Sequence, residues 1–335
     1  MNSPPPSPSP SASLYAASSL LYSVPLPSIV FDLVTLLFVA LLFLLSLFAL
    51  SFILHLHDRS RQTHSLQNFT SLWTVRLLLV LLVLFWSLNE TIRLPFIRRK
   101  YLFPFRESLS LDQEAAICQL NVVLSLGFLQ PCFLMTLLYL VNASIKKRNP
   151  NCLRAIISVV SLSLPVLCLQ VVFVYFAPFS DTLPNFMYVS SVVSADLRGE
   201  RMVLCACPFF SWLVYGGFAL AYGVAFSVSC WRVMAFVINK GIARRINVLA
   251  TTVMVALPAQ IICLCLSWVW EPETHLYGAM LLTMFLSVAA CMAAAVVLLV
   301  VKPIQEALDA GGDYCLWSHD EALRRREASE HQPAL

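Results

Sequence analysis

Apolar residues in this chain run on without the alternation of a half-buried strand. Seven stretches are mainly apolar over about 20 residues or more: Ile29 to Leu54, Leu72 to Leu94, Ala116 to Val141, Leu153 to Phe176, Met202 to Ile238, Ile246 to Trp270 and Tyr277 to Val301. At 1.5 Å per residue, about 20 residues cover the roughly 30 Å hydrocarbon core of a bilayer. A membrane barrel strand needs only about 9–11 alternating residues, so these runs exclude that class. Lipid offers backbone groups no partner, so each run is predicted to be a helix. The fifth exceeds a perpendicular crossing by about 15 residues, which predicts tilt or projection beyond the membrane. The pattern therefore predicts an all-α membrane protein, a seven-transmembrane helix bundle over residues 29–301.

Composition supports this reading. The chain has 335 residues, 59% hydrophobic and only 12% charged, against about 25% charged in ordinary soluble domains. Mean hydropathy is +0.79, which excludes both a water-soluble globule and a disordered chain. Residues 1–28 are rich in Pro and Ser without a charged side chain, predicting a disordered tail. That segment lacks the basic start of a cleavable signal peptide, so the first helix is expected to act as an uncleaved anchor. Residues 302–335 form a polar C-terminal tail in which Ala322 to Glu330 are predicted to form a short charged helix.

Orientation follows from Lys and Arg placement. With the N-terminus outside, 15 of the 22 Lys and Arg lie on the cytosolic side and seven on the outer side. This predicts N-terminus outside and C-terminus cytosolic, with the outer cluster Arg98-Arg99-Lys100 as the violation. The sequons beginning at Asn68 and Asn142 then fall in the cytosol, and Asn89 lies against the bilayer, so no N-glycan is expected.

The middle of every predicted helix is free of Asp, Glu, Lys, Arg and His. Such charges cost about 2.5–3.5 kcal/mol on insertion scales and usually mark a pathway, so an ion-coupled pump finds no midplane carboxylate here. Asp32 lies one turn inside the outer end of helix one, Arg76 one turn inside the inner end of helix two, and only Gln130, Gln170 and Gln260 bring strong polarity deeper. The six His sit at helix ends, loops or tail, so no zinc site converges within the bundle. Helix seven has no Lys before Lys302 for a retinal Schiff base, and phosphate loops, nucleophile elbows and paired catalytic carboxylates are missing. The chain is expected to be no enzyme, to need no cofactor and no metal, and to bind no nucleic acid.

Richer chemistry gathers in the outer half. Trp86, Asn89, Glu90 and Arg93 of helix two are placed to meet Gln119 and Asn121 of helix three, with Trp268, Trp270 and Tyr277 flanking the last outer loop. Glu90 and Arg93 stand three apart, spaced to pair on one face. Aromatic walls with a few polar groups suit a small amphipathic ligand such as an indole, and Trp86, Asn89, Glu90, Arg93, Asn121 and Trp268 are the candidate ligand-binding residues. The competing explanation is structural: Trp and Tyr collect at membrane interfaces, and Asn and Gln join neighbouring helices. Most of the 11 Cys lie in helices, but Cys118 and either Cys205 or Cys207 are candidates for an outer disulfide across the bundle mouth, and Cys315 is a candidate for palmitoylation. On the cytosolic side Lys146, Lys147 and Arg148, Arg232, and Lys240 with Arg244 and Arg245 before helix six are candidates for docking an acidic partner, or for attraction to anionic lipid of the bilayer. Pro131, Pro165, Pro208 and Pro258 are expected to bend helices three to six, and Gly216, Gly217, Ala221 and Gly223 to let a neighbour approach helix five.

The familiar large receptor class is not matched in detail. Helix three ends in Leu138-Tyr139-Leu140-Val141-Asn142 without an acidic-Arg-aromatic motif, and helix seven lacks an Asn-Pro pair. The stretches Ser71-Leu-Trp-Thr-Val-Arg76, Leu124-Ser-Leu-Gly-Phe-Leu-Gln-Pro131, Ser229-Cys-Trp-Arg-Val233, Val237-Ile-Asn-Lys-Gly241 and Met254-Val-Ala-Leu-Pro258 point elsewhere. They resemble a plant seven-transmembrane family of candidate G-protein-coupled receptors, the phytomelatonin receptor family, within a wider superfamily that includes the tobamovirus multiplication proteins. The resemblance covers about Leu54 to Lys302. It implies a plasma-membrane receptor for melatonin that signals through a heterotrimeric G-protein α subunit. Two other classes compete: a membrane scaffold of the tobamovirus multiplication type that recruits soluble partners, in the plasma membrane or an endomembrane, and a transporter of neutral solute.

Overall fold

The computed structural model describes residues 26–60, 73–94, 97–98, 110–143, 152–176, 190–195, 201–237, 240–267, 270 and 274–305. Within them seven helices are long and apolar enough to cross a membrane. In chain order they are α1 (Leu26–Ser60), α2 (Trp73–Arg93), α3 (Leu111–Ala143), α4 (Leu153–Phe176), α5 (Phe209–Phe236), α6 (Lys240–Leu266) and α7 (Leu276–Gln305). Successive helices reverse direction, so one end of the bundle gathers the starts of α1, α3, α5 and α7 with the ends of α2, α4 and α6. The circuit α1, α2, α4, α5, α6, α7 closes with α7 against α1, and α3 sits inside it against α2, α4 and α5. The apolar window of α3 is accordingly 72% buried, against 22% for α1 and α4. The outward faces carry Leu33, Leu37, Phe48, Leu220 and Phe236, all exposed, an apolar surface of the kind that suits lipid.

Local sequence explains where the helices start. Ser110 caps α3 through a reciprocal capping box: its hydroxyl accepts from Gln113 N at 3.3 Å, and its own N–H donates to Gln113 Oε1 at 3.4 Å. The helix thus begins five residues before the apolar run that announces it. Thr274 caps α7 by accepting from Tyr277 N at 3.4 Å. Between Val123 and Leu129 α3 widens into a π-helical stretch, in which the Gln130 N–H reaches Ser125 O five residues back. Pro131 follows at once; lacking an N–H, it would break the ordinary ladder there, and the widened turn accommodates it. Shorter π-helical stretches end α4 (Val172–Phe176) and fall near the end of α7 (Val297–Val301).

The fifth run departs from its expected form. Its first residues form no helix: Arg201–Cys205 is a strand, β2, paired antiparallel with β1 (Ser191–Ala195) in the register Ser191↔Cys205 to Ala195↔Arg201, and α5 keeps the 28 residues from Phe209. A short apolar run is equally consistent with strand and helix, and the break is Pro208, which stands as the N-cap of α5 with φ −62° and ψ 145°. Pro208 therefore starts α5 and bends nothing. Pro165 and Pro258 lie inside α4 and α6 as expected.

Two further expectations change. Lys240, Arg244 and Arg245 do not precede the sixth helix but form its first turns, because helices outrun the hydrocarbon and Lys and Arg are good helix formers. A Cβ built on Gly216, Gly217 or Gly223 meets nothing within 4 Å, and Ala221 is exposed, so this stripe admits no close neighbour among the described residues. The close approaches are elsewhere. A Cβ on Gly127 would stand 3.1 Å from Gln170 Cβ, where α4 crosses α3, and one on Gly278 would stand 2.9 Å from Phe31 Cδ2, where α7 crosses α1.

A candidate ligand pocket and the polar network behind it

The hairpin covers the end of the bundle where α2 finishes and α3, α5 and α7 begin. Cys118 of α3 is joined by a disulfide to Cys205 of β2, with Cα atoms 5.2 Å apart, while Cys207 stays a free thiol. Burial pushes the Cys207 thiol up, against the opposing pull of Arg93. Beside the disulfide lies Arg98, only 1% exposed, whose guanidinium donates to both sulfurs at 3.2 Å and to Val203 O. Its charge faces Glu114 at 3.8 Å, and Glu114 Oε2 accepts from Val203 N at 3.1 Å. Arg98, which counts against the expected N-out orientation, lies in the α2–α3 connection but is buried there. It is a buried clamp that ties β2 to α3, and the sequence signal for it was that violation.

Under the hairpin a cavity of about 140 Å³ opens between α1, α2 and α7. Phe31, Tyr277 and Phe285 supply aromatic walls, and Asp32, Glu90 and Arg93 supply charge. Gly278 lets the Phe31 ring lie against α7, and the Thr274 cap fixes the turn that carries Tyr277, whose hydroxyl donates to Cys205 O at 3.4 Å. Arg93 and Glu90 pair at 3.3 Å, as their three-residue spacing predicts. Asp32 makes no hydrogen bond and no ion pair within 4 Å among the described residues, and Arg93 acts on it only through space.

Of the six residues proposed from sequence for ligand binding, Glu90 and Arg93 line this cavity. Trp268 lies outside the described residues. Trp86, Asn89 and Asn121 are turned into the bundle and join helices. Asn89 and Asn121 exchange bonds with each other's backbone, Nδ2 to O at 3.3 and 2.8 Å, which ties α2 to α3. Trp86 stacks on the back of Phe285 at 5.5 Å and donates Nε1 to Ser125 Oγ at 3.2 Å. Gln119 is not on the cavity wall. Ser125 is a hub: it accepts from Trp86 and from Gln130 Nε2 (3.2 Å) and donates to Glu90 Oε1 (3.1 Å), using every site of a hydroxyl. The chain continues from Gln130 Oε1, which accepts from Gln260 Nε2 at 2.6 Å, to Gln260 Oε1, which accepts from Tyr215 OH at 3.0 Å. One polar thread therefore runs from the pocket's Glu90 through α3 and α6 to α5. Gln170, the third deep glutamine, donates to Ser211 O at 2.8 Å and joins α4 to α5.

At the opposite end Arg154, Arg232, Lys240, Arg244 and Lys302 are exposed. Lys146, Lys147, Arg148, Asn68 and Cys315 lie outside the described residues. Among the described residues no group of three or more His, Cys, Asp and Glu is arranged to hold a metal ion. The sequence model of a family described as uncharacterised conserved protein UCP031277 matches residues 24–313. No curated protein matches the chain.

Proposed function

The chain belongs to the family matched over residues 24–313, and we propose that it is a plasma-membrane receptor that takes a small indole at the hairpin end and signals through a heterotrimeric G-protein α subunit. The observation that carries this reading is the cavity of about 140 Å³ with three aromatic walls and three charged side chains. An engineered cavity of about 150 Å³ takes benzene, so this one takes a single ring system and leaves its substituents at the mouth. Melatonin, the ligand implied by the family resemblance, is an indole with two such substituents.

In this reading the hairpin end faces the cell exterior. A disulfide belongs on an oxidising side, and the exposed Arg154, Arg232, Lys240, Arg244 and Lys302 then face the cytosol, as the charge rule for membrane loops expects. That basic end is the docking face for an acidic partner. It also supports a second reading, a scaffold that recruits soluble proteins, in which the cavity has no role.

The test uses the full-length protein in lipid nanodiscs, melted in the presence of indole or melatonin. A ligand at 100 times its Kd adds about 2.7 kcal/mol of stability, so a saturable rise in melting temperature is expected. Replacement of Phe285 by Ala should remove it. A disulfide-intact preparation whose melting temperature no indole changes would refute the receptor reading and leave the scaffold.

A further inference from the structure

We propose that the hairpin-end pocket selects a protonated arylalkylamine over the neutral form of the same ring. The inference rests on the receptor reading above and narrows its ligand class to indoles with a cationic arm, which ranks melatonin, whose arm is a neutral amide, below the free amines.

The lining carries two carboxylates and one guanidinium. Glu90 and Arg93 neutralise each other at 3.3 Å, and the second Glu90 oxygen is held by Ser125 at 3.1 Å. That pair is neutral in sum, and Arg93 reaches Asp32 only through space. Asp32 stands in the same lining with no hydrogen bond or ion pair within 4 Å among the described residues. The pocket thus holds one surplus negative charge, and water entering it is what solvates the Asp32 carboxylate. A ligand that fills the space displaces that water. A neutral ring brings nothing to replace it and leaves a carboxylate desolvated, which is unfavourable. An ammonium group replaces it with a charge-assisted hydrogen bond, the stronger kind.

The walls point the same way. Phe31, Tyr277 and Phe285 present aromatic surface beside Asp32. Ring faces attract cations as well as other rings, so a flat aromatic body with a short cationic arm matches both parts of the lining. A zwitterion such as an aromatic amino acid fits less well. Its carboxylate would meet a guanidinium already neutralised by Glu90, in a pocket that is negative overall.

The experiment compares tryptamine with N-acetyltryptamine, which share a ring and differ in the charge of the arm. Binding to the full-length protein in nanodiscs is measured by titration calorimetry near pH 7. Tryptamine should bind at least tenfold more tightly. The Asp32→Asn variant should erase that preference by weakening tryptamine and tightening N-acetyltryptamine, and Asp32→Glu should keep it. Equal affinities, or tighter binding of the amide, would overturn the proposal while the receptor reading stands. Saturable binding of neither compound would overturn both. The wild-type ratio decides between the two forms even if a variant fails to fold.

Discussion

Ser125 makes the sharpest test of the polar thread, because one hydroxyl of α3 serves two partners on α2 and one across its own widened turn. Replacing it by Ala leaves Trp86 Nε1 and Gln130 Nε2 without their acceptor, formerly 3.2 Å away in each case, and takes from Glu90 Oε1 its donor at 3.1 Å. Two magnitudes compete. In soluble proteins a buried polar group left unmatched costs about 1–3 kcal/mol, which would predict a loss beyond most single substitutions. In membranes the average interhelical hydrogen bond is worth only about 0.6 kcal/mol, because the unfolded helices find other partners in lipid. The membrane figure governs here, and the two bonds to α2 at about 0.6 kcal/mol each give a loss of about 1.2 kcal/mol, the Gln130 bond lying within α3.

The matched control is Ser46→Ala. Ser46 is equally buried, yet its hydroxyl only donates to Leu42 O of its own helix at 2.8 Å. That carbonyl sits mid-helix with a backbone donor of its own, so nothing is stranded, and a loss under about 0.5 kcal/mol is expected. Both variants would be unfolded reversibly in mixed micelles by denaturant titration, followed by Trp fluorescence. A Ser125→Ala cost no greater than the Ser46→Ala cost would refute the claim that the thread stabilises the bundle.

Three other substitutions probe the hairpin end. Cys118→Ser with Cys205→Ser releases a covalent loop spanning 87 positions and should lower stability by about 2–4 kcal/mol, seen as a fall in melting temperature that reductant reproduces in the native protein. Arg98→Met leaves Glu114 buried without its nearest cation and should cost about 3–5 kcal/mol; adding Glu114→Gln should return part of that loss, a non-additivity that a double-mutant cycle measures. Gly278→Ala places a methyl 2.9 Å from Phe31 Cδ2, so the ring must move, costing about 1–3 kcal/mol and weakening indole binding more than Gly127→Ala does.

The helices were legible because their signal is length, and length is written in the sequence without ambiguity. Five of the seven apolar runs lie wholly or almost wholly within a helix, and the sixth, read to Trp270, outruns α6, which ends at Leu266. The Glu90–Arg93 pair was legible because three-residue spacing puts two side chains on one face whatever surrounds them. The hairpin was not, since Met202 to Cys205 reads as apolar as the helix that follows. Nor was the direction in which Trp86, Asn89 and Asn121 point. In a soluble helix the polar face announces itself, but here the lipid side is as apolar as the core, so no periodicity tells inward from outward.

What separates the pocket from the glue is an account of satisfied atoms. Trp86, Asn89, Asn121, Ser125, Gln130, Gln260 and Tyr215 all find partners within the bundle, and each partner sits on a different helix or across the widened turn of α3. Among the described residues Gln170 Oε1, Ser211 Oγ and Tyr222 Oη are buried without a partner, but none of those residues lines the cavity. Asp32 differs from both groups. It is ionisable, it lines a cavity between α1 and α7 under the hairpin, and no donor among the described residues completes it. A carboxylate in that position weakens the apolar helix that carries it, since an acid near a helix end still disfavours insertion. The cationic occupant proposed above would offset that cost, and Glu90, shared between that pocket and the Ser125 hub, is the side chain through which such an occupant would reach the middle of the bundle.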